Sequence, residues 1–380
     1  MLPNQKHLFD LPEDITYLNG AYMAPQLRST EALGIESLKR KSKPHMLGST
    51  DFFELPELLK KRFAALVDAP DHNNMALIPS VSYGIATVAN NIPLNEGDEI
   101  IMIDEQFPSN VYSWKRIAEE KNAVLTCVAP PKDAQARGAA WNTAILDTIN
   151  EKTAVVAMCH VHWADGTLFD LKAIRNKTRE VGALLILDGT QSIGALPFSI
   201  KEIQPDALIC GGYKWLMGPY SLGMAYYSDY FNQGVPLEDN WINRMHSEDF
   251  SKLTQYQPEY QPKAGRYSVG EGSNFVLVPM LTDAIEQLLA WKPKNIQAYC
   301  GEISKPLVTA LRSKGYFVEE DAYRAKHLFG IYLPKSTSIE SIKKKLSQKN
   351  IYVSFRGNAI RVSMHLYTTK ADLEALLSCF

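Results

Sequence analysis

Long hydrophobic runs are missing from this chain. Its apolar stretches end well short of the roughly 20 residues a membrane-spanning helix needs, so no spanning segment is expected. A surplus of one charge is missing too. Forty lysines and arginines face 42 aspartates and glutamates, a formal net charge of -2. That balance offers no basic groove for nucleic acid and no attraction to an anionic membrane, so the expected partner is a small molecule. Cysteine is scarce, five in 380 residues, with no Cys-x-x-Cys pair. A disulfide framework is therefore not expected, and a reducing cytoplasm fits better. Cys127, Cys159 and Cys210 sit in apolar runs, where a thiol usually packs as a small hydrophobe. The opening MLPNQKHLFDLPEDITYLNG has no apolar core of a signal peptide. No Gly-x-Gly-x-x-Gly follows an early strand-like run, which argues against a dinucleotide binder. Internal repeats and low-complexity tracts are absent, and no metal site is assigned.

What the chain does have is a series of short apolar runs through its first two thirds. They are MALIP (75–79), EIIMID (99–104), AVLTCVA (123–129), TAVVAMCHV (153–161), ALLILD (183–188), DALICGG (206–212) and GMAYY (223–227). Most lack polar alternation, as strands covered on both faces do. Helical patterns lie between them. ELPELLKKRFAALV places Leu55, Leu58, Leu59, Phe63, Leu66 and Val67 on one face, and DLKAIRNKTREVG has Gly182 where a helix would stop. The alternation predicts an α/β fold, a mostly parallel seven-stranded sheet with helices on both faces. Beyond about residue 230 the chain turns polar and aperiodic. It then resumes as alternating helix and strand, ending in a helix capped by Thr369 and Asp372, which predicts a small α+β C-terminal domain.

Three polar features fall where predicted strands end, the edge at which open α/β sheets bind ligands. Ser80, Val81 and Ser82 follow MALIP and open a helix, so hydroxyls and free backbone N–H groups meet at a helix N-terminus suited to phosphate. Asp188 follows four apolar residues. Lys214, in DALICGGYKWLMGP, is a lone lysine among apolar neighbours, where an ammonium is costly unless it has a use. Each alone has an ordinary explanation, as a cap or a snorkelling lysine. Together they are what pyridoxal 5'-phosphate requires: an amine for its aldehyde, a carboxylate for its pyridine nitrogen and a cradle for its phosphate.

The stretch LLILDGTQSIGALPFSIKEIQPDALICGGYKWLMGPYSLGMAYY (184–227) resembles the signature of the class V aminotransferase family, fold-type-I pyridoxal-phosphate enzymes that include cysteine desulfurases, kynureninase and isopenicillin-N epimerase-like proteins. Asp188, Gln191, Tyr213, Lys214, Gly218 and Pro219 match its pattern, with echoes from YLNGA at Tyr17 to RVSMHLYTT at Arg361. The resemblance implies that Lys214 forms the Schiff base and later moves the proton at Cα, that Asp188 pairs with the pyridine nitrogen, and that Gln191 bonds the phenolic oxygen. It implies phosphate contacts from Ser80, Val81, Ser82 and Tyr213 and ring stacking by Phe107. Ser273 and Asn274 in YSVGEGSN, and Trp241 in NWINR, would reach the cofactor from a neighbouring subunit, making a homodimer with shared sites. Arg361 would hold the substrate carboxylate, with Arg356 its competitor, and Asn19 and Gly20 would complete that pocket. His162 or His160 would approach the substrate from the end of TAVVAMCHV. Trp163 and Asp165 stand where relatives carry other residues, so their roles stay open. The implied organisation is an N-terminal arm (1–15) against the small domain, a large cofactor-binding domain (16–260) and a small domain (261–380).

Among reactions, the resemblance favours an aminotransferase, with a C–S or C–C lyase as the alternative and a catalytically silent cofactor-binding protein as the non-enzyme reading. No cysteine lies between about Asp321 and Arg361, where a desulfurase would carry its nucleophile, so that activity is not expected. Gln191 stands where kynureninase-like relatives usually carry histidine, which weakens that reading.

Overall fold

The computed structural model describes residues 2–131 and 136–380. In its first part the chain forms β1 (Thr16–Tyr17), α1 (Arg28–Lys41), α2 (Ser49–Leu66), β2 (Met75–Ile78), α3 (Val81–Asn90), β3 (Glu99–Ile103), α4 (Tyr112–Lys121) and β4 (Val124–Val128). Next come α5 (Arg137–Thr148), β5 (Thr153–Cys159), α6 (Leu171–Val181), β6 (Leu184–Asp188), α7 (Ile200–Ile203), β7 (Ala207–Gly211) and β8 (Gly223–Tyr227). The remainder is α8 (Leu277–Trp291), α9 (Pro293–Ser313), β9 (Leu328–Tyr332), α10 (Ile339–Gln348), β10 (Ile351–Tyr352), β11 (Ser354–Arg356), β12 (Ala359–Ser363) and α11 (Lys370–Leu377). None of the described helices is long and apolar enough to cross a membrane.

Seven strands form one sheet in the order β2-β8-β7-β6-β5-β3-β4. From β7 to β4 all pairings are parallel, and β8 runs antiparallel to both β2 and β7. The reversal has a simple cause. Only residues 212–222 separate β7 from β8, and a parallel crossover takes a dozen or more residues, usually with a helix. That short return carries Lys214.

The absence of alternation along the strands has its counterpart in the packing. Leu185 and Leu187 of β6 join one core with Trp141 of α5 and Ile174 of α6, while Ile186 joins a second core with Ile85 of α3 and Trp114 of α4. Leu185, Ile186 and Leu187 are all fully buried, each worth about 1.5–3 kcal/mol. The helices therefore cover both faces, giving the α/β fold with its mostly parallel sheet. The run AVLTCVA departs from the expectation. β4 is an edge strand, half of Val124 is exposed and Cys127 faces solvent, because among the described residues no further strand pairs with its outer side.

C-terminal to this layer, β11-β12-β9 make an antiparallel sheet, and β10 pairs in parallel with β1. The N-terminus is tied here: Asn4 donates to Tyr299 and to the Thr368 carbonyl. The Thr369–Asp372 capping box starts α11 as expected.

The turn after β6 is pressed against the return loop. Gly194 has φ +103°, and a Cβ there would sit 2.1 Å from the Trp215 carbonyl oxygen. Gly194→Ala combines a left-handed backbone with a steric clash, so it should destabilise the fold by about 2–5 kcal/mol. An unchanged urea midpoint would show that the two loops are not locked together.

Candidate active site

A cavity of about 370 Å³ opens at the C-terminal edge of the parallel strands. Its wall comes from successive strand ends: Ser80, Val81 and Ser82 after β2, Gln106 and Phe107 after β3, and Asp188, Thr190 and Gln191 at β6. Tyr213 and Lys214 follow β7. The sheet order places the ends of β6 and β7 side by side, so Asp188 and Lys214 line one cavity although 26 positions separate their numbers.

Ser80 caps α3, accepting from Tyr83 N–H at 3.2 Å, and its hydroxyl lies 2.9 Å from that of Ser82. Both serines are exposed to the cavity. A helix N-terminus with free donors favours an anion, and no lysine or arginine is needed beside it.

Lys214 is 6% exposed, and among the described residues no hydrogen bond or ion pair holds its amine. Its Nζ stands 5.1 Å from the Phe107 ring centre and 5.5 Å from that of Tyr213. Burial is the largest influence on its basicity, pulling the pKa down to about 8. Asp188 pulls it up, and Arg361 and Arg356 push it down further. Asp188 is shifted the opposite way. Burial raises its carboxyl above the usual range, against hydrogen bonds from Thr190 and the Lys214 charge. Its Oδ1 accepts Thr190 N–H at 2.9 Å.

Gln191 is held in one orientation. Its Oε1 accepts the Trp215 indole N–H at 2.9 Å, and Nε2 donates to the Ala21 carbonyl at 3.1 Å, leaving a second amide proton at the cavity wall. Trp215 escaped the sequence reading, although its place beside Lys214 was a signal. Gly20 lies against the same indole; a Cβ there would come 2.8 Å from the Tyr367 hydroxyl and 3.6 Å from Trp215.

Arg361 projects from β12 and is 1% exposed. Its Nη1 donates to the Trp163 carbonyl at 2.8 Å and its Nη2 to Ser354 Oγ at 3.3 Å; Ser354 donates in turn to Asn19 Oδ1 at 2.7 Å. Asn19, Ser354 and Arg361 thus form one chain. Ser354 was missed, though it sits directly opposite Arg361 in the β11–β12 register. Arg356, on β11, lays its guanidinium 5.3 Å from the Trp163 ring centre.

The histidines after β5 are corrected by strand geometry. Alternate residues face opposite ways, so Cys159, Val161 and Trp163 line the cavity while His160 and His162 do not. His160 borders a separate surface groove beside Phe198. His162 is fully buried, its Nδ1 3.0 Å from Asp165 Oδ1 and its Nε2 3.1 Å from the Glu105 carbonyl, so neither nitrogen is free for substrate. Asp165 also meets Arg137 Nε at 3.2 Å and accepts from the Tyr332 hydroxyl at 2.6 Å. Burial pushes its carboxyl up, but His162, Arg137 and Tyr332 outweigh that and hold it well below the usual range. This network anchors the loop carrying Trp163 to β9.

Trp241, Ser273 and Asn274 do not reach their own chain's cavity. Trp241 packs against Phe52, Phe53 and Phe250, Ser273 donates to the Phe52 carbonyl, and Asn274 Oδ1 accepts the Val276 and Leu277 N–H groups just before and at the start of α8. They border separate depressions on the surface.

Residues 41–376 match the family model described as aminotransferase class-V. An "uncharacterized aminotransferase YcbU" of Bacillus subtilis is 24% identical over 84% of this chain and 81% of its own length. A "probable cysteine desulfurase" of Halalkalibacterium halodurans is 32% identical, over 39% of this chain and 34% of its own. Among solved structures, C-DES with glycine covalently linked to its PLP cofactor superposes with TM-score 0.86 at 18% identity, covering 98% of both chains. The cysteine desulfurase CsdA of Escherichia coli gives 0.81 at 17%, covering 98% of this chain and 96% of its own.

In the cofactor-free chain the buried Lys214 charge is a standing cost. Its folded pKa of about 8 lies below the ordinary 10.5, so the penalty is full below pH 8 and fades as pH rises toward 10.5, where the unfolded chain loses the proton as well. Lys214→Met should therefore stabilise the cofactor-free protein at pH 7 by up to about 3 kcal/mol. The gain should shrink between about pH 8 and 10.5 in urea unfolding; a gain independent of pH would refute the electrostatic origin.

Proposed function

The chain belongs to the aminotransferase class-V family, whose members use pyridoxal 5'-phosphate, and on that premise we propose that it is an aminotransferase acting at the α-carbon of an amino acid. The observation that carries this reading is the buried, unpartnered amine of Lys214 beside a buried carboxylate, at a sheet edge that also presents a helix N-terminus.

The residues fit the cofactor by their chemistry. Ser80, Ser82 and the N–H groups opening α3 would hold its phosphate, Asp188 its ring nitrogen and the spare Gln191 proton its phenolic oxygen. Phe107 and Tyr213 flank the amine. Bound there, the cofactor supplies an aldehyde for an amine and a ring that draws electrons from the substrate's Cα. Lys214 contributes a usable amine: with a pKa of about 8, roughly a tenth of it is unprotonated at pH 7, far more than for an ordinary lysine. The same amine is the group placed to take and return the Cα proton. Arg361, fixed by the Trp163 carbonyl and Ser354, would orient the substrate by its carboxylate.

A cysteine desulfurase reading is disfavoured because it needs a reactive thiolate. Among the described residues Cys159 is the one cysteine lining this cavity, and burial pushes its thiol far above the ordinary value, which keeps it protonated. A C–S or C–C lyase would use the same lysine and differ in its substrate. The same reading takes in a homodimer in which Ser273, Asn274 and Trp241 serve the neighbouring site. The partly exposed aromatics Trp241 and Phe250 support it, as such side chains favour interfaces.

Purified protein loaded with the cofactor should be yellow, and borohydride should bleach the band while fixing the cofactor on Lys214. A colourless protein that takes up no added cofactor would end the proposal. A single amino acid should bleach the band and a 2-oxo acid restore it; keto-acid release with the band unchanged would identify a lyase instead. Arg361→Leu should weaken amino-acid binding about 10- to 100-fold with the colour retained. Loss of the colour as well would assign Arg361 to the cofactor rather than the substrate.

A further inference from the structure

Arg361 and Arg356 form a pair. In the β11–β12 hairpin Ser354 lies opposite Arg361, and Arg356 lies two residues along from Ser354, so the two arginines project from the same face as diagonal neighbours. Phe355 and Ile360, paired across the same hairpin, face the other way into the core. Both guanidiniums converge on Trp163, Arg361 at its carbonyl and Arg356 over its ring. Trp163 in turn lines the cavity and stacks edge-on with Phe107, whose ring centre is 5.1 Å from the Lys214 amine.

Neither guanidinium meets a carboxylate among the described residues. Arg361 donates to a carbonyl and a hydroxyl, Arg356 to the Phe355 carbonyl, and the Nε of each is buried with no partner. Arg361 is buried and Arg356 half-buried, and the remaining buried arginines are treated differently. Arg137 has Asp165 at 3.2 Å and Arg324 has Asp321 at 2.9 Å. A buried cation is normally paired, and placing a second cation beside an unpaired one adds repulsion. Burial, and then the Arg356 charge, weaken the hold of Arg361 on its proton. Among the described residues the carboxylate that lines the cavity is Asp188, at the end of β6, and it forms no ion pair with either arginine. One α-carboxylate would neutralise half of this doubled charge.

We propose that the substrate is an amino acid with a second acidic group on its side chain, Arg361 taking the α-carboxylate and Arg356 the side-chain acid. The proposal rests on the amino-acid reading above and narrows it to dicarboxylic substrates of the aspartate or glutamate kind. Planar guanidiniums with free N–H groups suit carboxylates bidentately, and the doubled positive charge rejects lysine- or arginine-like side chains.

The test uses cofactor-loaded protein and inert acids without an amino group, with affinities read by calorimetry and loading certified by the visible band. Glutarate should bind about 10- to 100-fold more tightly than butyrate. In Arg356→Gln that gap should fall below about twofold, and Arg361→Gln should weaken both acids. Equal binding of the two acids by the unaltered protein would overturn the proposal. So would an undiminished gap in Arg356→Gln, and so would a parallel loss of both acids in that variant, which would mean that the two arginines clamp one carboxylate. A protein with no visible band fails the cofactor reading itself; a yellow protein without diacid preference fails only this inference.

Discussion

Removing an ammonium from water costs several kcal/mol unless a carboxylate meets it, and at Lys214 none among the described residues comes within ion-pair distance. The surroundings make the position worse for charge: aromatic rings to either side, an apolar core beneath, and the charges of Arg361 and Arg356 close enough to be felt. A lysine in such a place is retained against the interest of folding. What keeps it there is backbone geometry. Gly212 N–H bonds the Leu222 carbonyl and Gly218 N–H the Gly212 carbonyl, closing the loop on itself. Trp215 and Leu216, both 1% exposed, pin it to the core on the far side of the lysine.

Asp188 is subject to the opposite pressure from the same cause. Burial raises an acid and lowers a base, so each group is drawn toward its neutral form while their mutual attraction opposes both shifts. The pairing follows from the sheet. β6 and β7 are parallel neighbours, Asp188 lies in register with Ile209, and Lys214 follows five residues later on a loop that must turn back at once into β8. A parallel β8 would have demanded a longer crossover and moved the amine away from the strand edge.

Asp188 and Lys214 were legible in the sequence because each interrupts an apolar run, and a break in a strand's pattern at its C-terminal end marks the ligand edge of the sheet. The helix opened by Ser80 was legible for a local reason as well, since capping is decided within four residues. The misreadings concern direction rather than position. His162 sits at the right strand end but on the wrong side of it, and a shift of one residue decides between cavity and core. Cys127 lies in a run as apolar as its neighbours, yet a place in the strand order that sequence does not encode locally left it exposed. Trp215 and Ser354 act through partners at Gln191 and Arg361, and such partners become visible only once loop packing and strand register are known.

The two proposed anion sites use different chemistry, and Lys214 supplies the reason. On the side of α3 an anion is met by hydroxyls and backbone N–H groups, whose partial charges fall off within a turn of the helix and leave the amine undisturbed. On the side of β11 and β12 it would be met by full positive charges, and these reach Lys214: Arg361 and Arg356 both lower its pKa. A permanent ligand suits the first arrangement, because nothing need change when it is present. A substrate that comes and goes suits the second. With the guanidiniums bare, the amine is held toward its neutral, nucleophilic form. Once carboxylates cover them, the part of the depression that the arginines add to burial is relieved, and by reciprocity the amine becomes a stronger base. That change arrives as the proposed reaction needs a group to accept the Cα proton, so one pair of arginines would both recognise the substrate and ready the lysine for it.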